Sequence, residues 1–437
     1  MKKFLLLAVD LLALYASLAL TLFLRYSQDF QSQYDIHIYP FLLIFALWLL
    51  VFYIANIYEA RLLRNNIFFY SALFQAIATA TGISVLFFYL IPFYGITPKT
   101  NLAIFAAIFT GLEFPLRHSL NNLFEKGLRK PVLIVGANAQ ALELAKFIKE
   151  NPQLGYELAY VVDLTPEGVG NLNHVIKDQN INTVVLSPEA YKTTEVIDLF
   201  YKSLGKKITF YNLSSLYERL TGKVLLGAID QIWFLENLNE GNKKFFEILK
   251  RATDIVLALI LAVPTLLLLP FIFLAVKLTS PGPLLYGQTR MGRLGKNFKI
   301  IKFRTMGQDA EKETGAIWAA ENDPRITPVG KFLRKTRLDE LPQLWNILRG
   351  EMSFVGPRAE RPEFNNQLKH ITFYEERYLV KPGLSGWAQI SFRYGASVSD
   401  AEEKLKYDLY YVKNRSLLLD LSIILKTIRI ALKQAGR

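Results

Sequence analysis

Four apolar runs occupy the first 116 residues, at approximately 4–24, 40–57, 67–91 and 101–116, and they constrain this chain more than any other feature. Each is long enough, or nearly so, to cross a hydrocarbon core of about 30 Å. The whole sequence is 51% hydrophobic and 13% aromatic, above ordinary soluble usage, which agrees with part of it lying in lipid. The first run is too long for a secretory leader, is interrupted by Asp10, and is followed by no small-residue cleavage site, so the reading keeps it attached. Lys2, Lys3, Arg61, Arg64, Arg117, Lys126, Arg129 and Lys130 fall on one side of the expected helices, and only Arg25 and Lys99 on the other. That asymmetry predicts a multi-pass protein with its N-terminus and everything after residue 117 in the cytoplasm.

Charge separates the two halves. The net charge is +13, and from Lys243 to Arg437 there are 32 Lys and Arg against 19 Asp and Glu, while residues 1–242 balance. The basic part suits an anionic partner: a nucleotide, a phosphate ester, or the anionic headgroups of the lipid bilayer. No nucleic acid is expected, because zinc-finger spacing and single-strand-binding aromatics are missing. The absence of cysteine excludes disulfides, thiolate nucleophiles and Cys-ligated metal. His37, His118, His174 and His370 have no ligand spacing and read as surface or packing residues.

Between roughly 130 and 240, strands and helices alternate. "PVLIVGANAQALELAKFI" is an apolar strand, a glycine turn and a helix, and "LAYVVD", "NTVVLS" and "KITFYN" add buried strands, a Rossmann-type pattern. Only Gly136 stands in the turn where a dinucleotide fingerprint needs several glycines. The expected role is therefore assembly, with a homodimer as one form of it, rather than dinucleotide binding. An NAD-dependent nucleotide-sugar dehydratase or epimerase is the main alternative, but no tyrosine is followed by a lysine four residues later.

In "RKTRLDELPQLWNILRGEMSFVGPR", Asp339 and Glu340 adjoin Arg334, Lys335 and Arg337, and leucines recur at helical spacing from Leu338 to Leu348. Taken alone, the stretch reads as a capped amphipathic helix with acids at its start. Upstream, Ile255 to Val276 is 22 residues, about 33 Å as a helix and long enough to span. Yet basic residues flank both ends, so the segment is expected to enter and return to one face, bent at Pro264 or Pro270.

Together with "YGQTRMGRLGKNFKIIKFRTM", "KPGLSGWAQI" and "YDLYYVKNRSLLLDL", these motifs resemble the bacterial sugar transferases, in the large form with four membrane helices and a Rossmann-like insert. These are monotopic polyprenyl-phosphate hexose-1-phosphate transferases that initiate exopolysaccharide, capsule or O-antigen synthesis. The resemblance implies a membrane α-helical bundle (1–125), an α/β Rossmann-like domain (126–242), and a mainly α-helical transferase domain (243–437) with a re-entrant membrane helix at 255–276. It places the chain in the bacterial inner membrane with its catalytic domain on the cytoplasmic face. The implied reaction moves a sugar-1-phosphate from a UDP-sugar to undecaprenyl phosphate, releasing UMP.

By the same resemblance, Asp339 is the nucleophile that carries the phosphosugar, and Glu340, with Asp339, holds a Mg2+ ion. Lys302, Arg334, Arg337 and Arg358 match phosphate-facing positions, Arg393 a nucleotide-side arginine, and Asp408 a further binding position. Adjacent acids among cations suit such chemistry, since a carboxylate approaches a diphosphate only when its oxygens are neutralised. A helix start is expected to favour the ionised Asp339. Trp387 reads equally as a packing aromatic or a base-stacking one, and Arg304 and Arg325 as loop salt-bridge formers or ligands. Two positions depart from the family pattern: Ala359 replaces a proline after Arg358, and the membrane prolines flank Leu267 instead of standing there. A non-catalytic assembly scaffold is the remaining alternative, disfavoured because both acids and the bases persist.

Overall fold

A computed structural model describes residues 2–90, 99–127, 129–203, 205, 207–238, 243–307, 310, 323–392 and 397–432. The chain divides into two compact units, Met1–Leu216 and Tyr217–Arg437.

The first unit opens with α1 (Lys2–Tyr26), α2 (Phe30–Ile54), α3 (Ile67–Leu90) and α4 (Lys99–Asn122). They close around an aromatic core of Phe41, Phe45, Trp48, Phe52, Phe105 and Phe109, all essentially inaccessible. Phe4, Leu24, Phe68 and Leu86 point outward and are exposed, as expected of helices whose outer faces meet lipid. Lys2–Ile54 and Ile67–Leu90 are long and apolar enough to cross a membrane, as is Lys244–Thr279 in the second unit. Two expected boundaries move: α2 begins ahead of Pro40, which lies inside it, and α4 runs past 116. Arg117 is consequently no loop cation. It is wholly buried in α4, bonded to Asp10 at 2.5 and 2.7 Å and to Glu113 at 2.5 Å, while Tyr58 donates to Asp10 at 2.7 Å. Asp10, which looked like an interruption of the first apolar run, is the partner that lets an arginine enter the bundle.

The Rossmann-like part follows: β1 (Lys130–Val135), α5 (Ala139–Glu150), β2 (Tyr156–Val162), α6 (Pro166–Asp178), β3 (Thr183–Leu186), α7 (Thr194–Tyr201), β4 (Thr209–Asn212) and α8 (Leu213–Thr221). The strands form a parallel sheet in the order β2-β1-β3-β4. Val132 to Val135 are inaccessible because both faces of a parallel sheet are covered. Gly136 has φ +100°, and a Cβ there would stand 2.0 Å from Ser187 Oγ. The close approach that the glycine permits is thus to Ser187, and beside it Asn138 Nδ2 donates to Glu189 at 2.8 Å.

The second unit begins earlier than the expected residue 243. Residues 217–238, including α9 (Gln231–Asn237), carry no strand, and Tyr217, Val224, Leu225 and Trp233 among them are buried. Val224 N donates to Lys406 O at 2.9 Å, Glu218 pairs with Lys413 at 2.8 Å, and Trp233 packs with Leu368, Tyr374 and Leu405.

Next come α10 (Lys244–Thr279), the antiparallel hairpin β5 (Leu285–Met291) and β6 (Asn297–Phe303), α11 (Pro328–Thr336), α12 (Gln343–Arg349), β7 (Ser353–Val355) and α13 (Pro362–Leu368). The unit closes with β8 (Gly383–Ser385), parallel to β7, then α14 (Trp387–Ser391), α15 (Val398–Asn414) and α16 (Leu417–Leu432). α10 is one uninterrupted helix containing both Pro264 and Pro270, so neither proline ends it. Both ends of α10 are tied to the same unit. Asp254 accepts from Ser353 Oγ and Phe354 N at 3.0 Å, and Arg304 holds the carbonyls of Ser280 and Pro281 at 2.7 and 2.6 Å. Between them, Val263, Leu266, Leu267 and Phe271 are exposed.

Candidate active site

Asp339 and Glu340 lie on a single 3-10 turn, Leu338–Glu340, between α11 and α12. The turn is possible because Arg337 ends α11 in the left-handed conformation, φ +60°. The acids therefore precede the α-helical start at Gln343 by a few residues instead of occupying it. Two contacts fix the turn from below. Gly330 lets α11 approach Thr305, where a Cβ would stand 2.0 Å from the Thr305 carbonyl oxygen. Asn346 joins α12 to β6, donating to Lys299 O at 2.8 Å and accepting from Ile301 N at 3.1 Å.

The carboxylates are buried, with Asp339 7% and Glu340 9% exposed. Lys302 Nζ, at the end of β6, donates to Glu340 Oε1 at 2.8 Å, and Arg358 stands 3.7 Å from the same oxygen. Burial works to raise Glu340, but Lys302, Arg358 and Arg337 together outweigh it and hold this carboxyl down at about 2. Asp339 is pushed the other way, to about 6: burial dominates, Lys302, Arg334 and Arg337 offset only part of it, and the neighbouring Glu340 adds to it. Burial thus works against the ionised form that a helix start was expected to favour, and the flanking cations work for it. Lys302 is itself lowered by burial, partly countered by Glu340. Asp339 Oδ1 has no hydrogen-bond partner among the described residues.

Arg358 is carried by a loop whose carbonyls are all engaged. Gly383 N donates to Pro357 O at 2.9 Å, Arg377 to Arg358 O at 3.1 Å, Arg290 to Ala359 O at 3.0 Å, and Met291 N to Glu360 O at 2.8 Å. The rigidity lost with a proline at 359 is supplied by these four bonds.

The structure thus gathers Asp339, Glu340, Lys302, Arg334, Arg337 and Arg358. Arg334 also donates to Thr305 Oγ1 at 2.8 Å. Asp408 does not face this group directly: it is 1% exposed and bonded to Arg377 at 2.6 Å, behind the Arg358 loop. Arg393 lies outside the described residues. Trp387 packs, donating to Gly222 O at 2.8 Å and stacking on Tyr410, while Arg304 and Arg325 make structural contacts, the latter with Asp323. Sequence reasoning missed Arg377, Arg290, Asn346 and Gln343. Gln343 is 2% exposed and its amide nitrogen has no partner among the described residues. Nothing in one sequence marks an arginine or an amide as buried, so only the fold reveals them.

A family profile described as bacterial sugar transferase matches residues 245–434. The chain is 41% identical over 233 residues to the UDP-N-acetylgalactosamine-undecaprenyl-phosphate N-acetylgalactosaminephosphotransferase of Aeromonas hydrophila, covering 52% of this chain and about half, 53%, of that protein. It is 35% identical to the UDP-glucose:undecaprenyl-phosphate glucose-1-phosphate transferase of Escherichia coli, over 69% of this chain and 67% of that one. With the similarly named protein of Klebsiella pneumoniae it shares 33%, over 77% and 76%. The charged turn, the cationic loop beside it and these similarities along most of the chain lead to one assignment: this protein belongs to the bacterial sugar transferase family.

Proposed function

We propose that this protein is a membrane-bound polyprenyl-phosphate sugar-1-phosphate transferase, taking its donor from UDP-sugars and using undecaprenyl phosphate as acceptor. The observation that carries the reading is the buried Asp339–Glu340 pair enclosed by Lys302, Arg334, Arg337 and Arg358. The relatives' names supply the substrate class.

In the first step an oxygen of the Asp339 carboxylate attacks the β-phosphorus of the UDP-sugar. The bond from that phosphorus to the bridging oxygen breaks, and UMP leaves with the electron pair. An acyl phosphate linking Asp339 to the sugar phosphate remains. In the second step a phosphate oxygen of undecaprenyl phosphate attacks the same phosphorus and Asp339 departs as carboxylate, giving undecaprenyl-diphospho-sugar. The basic side chains spread the charge of the five-coordinate phosphorus, and Lys302 keeps Glu340 ionised.

A Mg2+ ion fits this site: Asp339 Oδ1 is buried without a partner, Glu340 adjoins it, and Mg2+ typically takes one or two carboxylates and completes its shell with water and substrate phosphates. Bound there, it would neutralise diphosphate oxygens.

Both ends of α10 are tied to the unit that carries the acids, and a polar unit lies on one side of a bilayer. This supports a re-entrant α10 with the site at the cytoplasmic surface, bent within its exposed middle while remaining helical. Purified protein incubated with undecaprenyl phosphate and a panel of UDP-sugars should release UMP with at least one of them, and a chelator should stop it. Absence of UMP release with every sugar would remove the reading.

A further inference from the structure

We propose that the second unit holds a separate anion site at the foot of α10, and that it takes the phosphodiester headgroup of an anionic phospholipid. The proposal does not rest on the transferase reading.

A cavity there is walled by Glu247, Lys250, Arg251, Lys381 and Arg415 over Val355. Most of its charges are already matched. Lys250 bonds Asp420 at 2.5 Å and the Val355 carbonyl at 3.0 Å, with Tyr411 donating to Asp420 at 2.8 Å. Arg415 pairs with Glu247 at 3.3 Å. Asp254, also at the cavity, is taken by Ser353 and Phe354. Two cations at the cavity make no ion pair with a carboxylate among the described residues. Arg251 reaches only the carbonyls of Ile347 and Leu348, at 2.5 and 2.6 Å. Lys381 is half-buried and has no hydrogen-bond or ion-pair partner among the described residues.

These two cations flank one small residue. A methyl group on Gly350 would stand 3.5 Å from Lys381 Nζ and 3.6 Å from Arg251 Cζ. Burial, and then Arg251, lowers the Lys381 ammonium, and the nearby carboxylates of Asp254 and Glu247 offset only part of this. An anion between them would relieve the repulsion and supply Lys381 with the acceptor it lacks.

Position selects the anion. Arg251 lies one helical turn before the apolar segment that starts at Ile255, and Phe245, Ile248 and Val256 on the same helix are exposed. A phosphate bound here would therefore sit at headgroup depth beside apolar side chains suited to acyl chains. The site is not where the reaction occurs, because Arg251 grips the C-terminal end of α12 whereas Asp339 precedes its N-terminal end.

The test uses the full chain in neutral detergent, titrated with phosphatidylglycerol, phosphatidylcholine or inorganic phosphate, reading thermal shift and lipids retained in native mass spectrometry. Phosphatidylglycerol should raise the melting temperature and remain bound. Lys381→Gln should weaken that binding about fivefold, the loss expected for one basic residue at an anionic lipid surface, while Lys381→Arg retains it. UMP release by Lys381→Gln in phosphatidylcholine should match wild type. Equal phosphatidylglycerol retention by Lys381→Gln would overturn the proposal. An equal shift from inorganic phosphate would also overturn it, by showing a site for free anions.

Discussion

Arg377 donates through one nitrogen both to the carboxylate of Asp408, at 2.6 Å, and to the main-chain carbonyl of Arg358, at 3.1 Å. The buried pair is thereby a support for the loop that aims Arg358 at Glu340. Arg377 is held further by Tyr374 at 2.8 Å.

Removing this support should damage both stability and activity. Arg377→Ala leaves Asp408 buried without its cation and should cost about 3–5 kcal/mol of stability, with kcat/KM falling more than tenfold as Arg358 loses its placement. Asp408→Asn keeps an acceptor and should be milder in both respects. Thermal melts beside kinetics check this. If Asp408 instead bound substrate directly, Asp408→Asn would raise KM with an unchanged melt.

Burial lifts the Asp339 carboxyl from the ordinary 3.8 to about 6. A carboxyl raised in the folded state contributes stability that is present below its unfolded value and lost as pH rises through the folded one. At pH 7 the ionised Asp339 therefore strains the metal-free protein, by an amount on the order of 1–3 kcal/mol. In a chelator at pH 7, Asp339→Asn should melt higher than wild type, with the gap closing toward pH 4. A lower melt for the variant at pH 7 would contradict the electrostatic account.

The existence of the membrane helices, the parallel sheet and the charged turn was legible because each rests on local patterns: apolar length, strand-turn-helix alternation, and acids among bases. Arg117 and Asp10 were misread for the opposite reason. They are 107 positions apart and acquire meaning only when α1 meets α4. The same holds for Arg377 and Asp408, and for residues 217–238, whose place on the second unit depends on partners such as Lys406 and Lys413. Asp339's raised carboxyl was missed because sequence shows nearby charges but not desolvation.

The unit boundary gives a truncation test. A chain starting at Tyr217 keeps Val224 and Trp233 in the core and should retain UMP release and a cooperative melt in detergent. One starting at Lys243 loses both and the Glu218–Lys413 pair, and should aggregate or melt far lower. Equal behaviour of the two truncations would place the boundary back near 242.

The topology of α10 is open to labelling, since the chain has no cysteine of its own. Phe245, 72% exposed, and Thr279, also exposed, flank the apolar stretch without entering the buried Lys250 network. Single cysteines at these positions should both react only from the cytoplasmic side, comparing intact cells with inverted vesicles. Labelling of position 279 from outside would show a spanning helix.

Asp339 is the proposed carrier of the phosphosugar. Intact-protein mass spectrometry of the enzyme mixed with its UDP-sugar, without acceptor, reads this directly. The predicted result is a mass gain of one sugar phosphate that maps to Asp339, disappears when undecaprenyl phosphate is added, and never forms in Asp339→Asn, which also releases no UMP. Turnover by Asp339→Asn, or an adduct mapped to another residue, would contradict it.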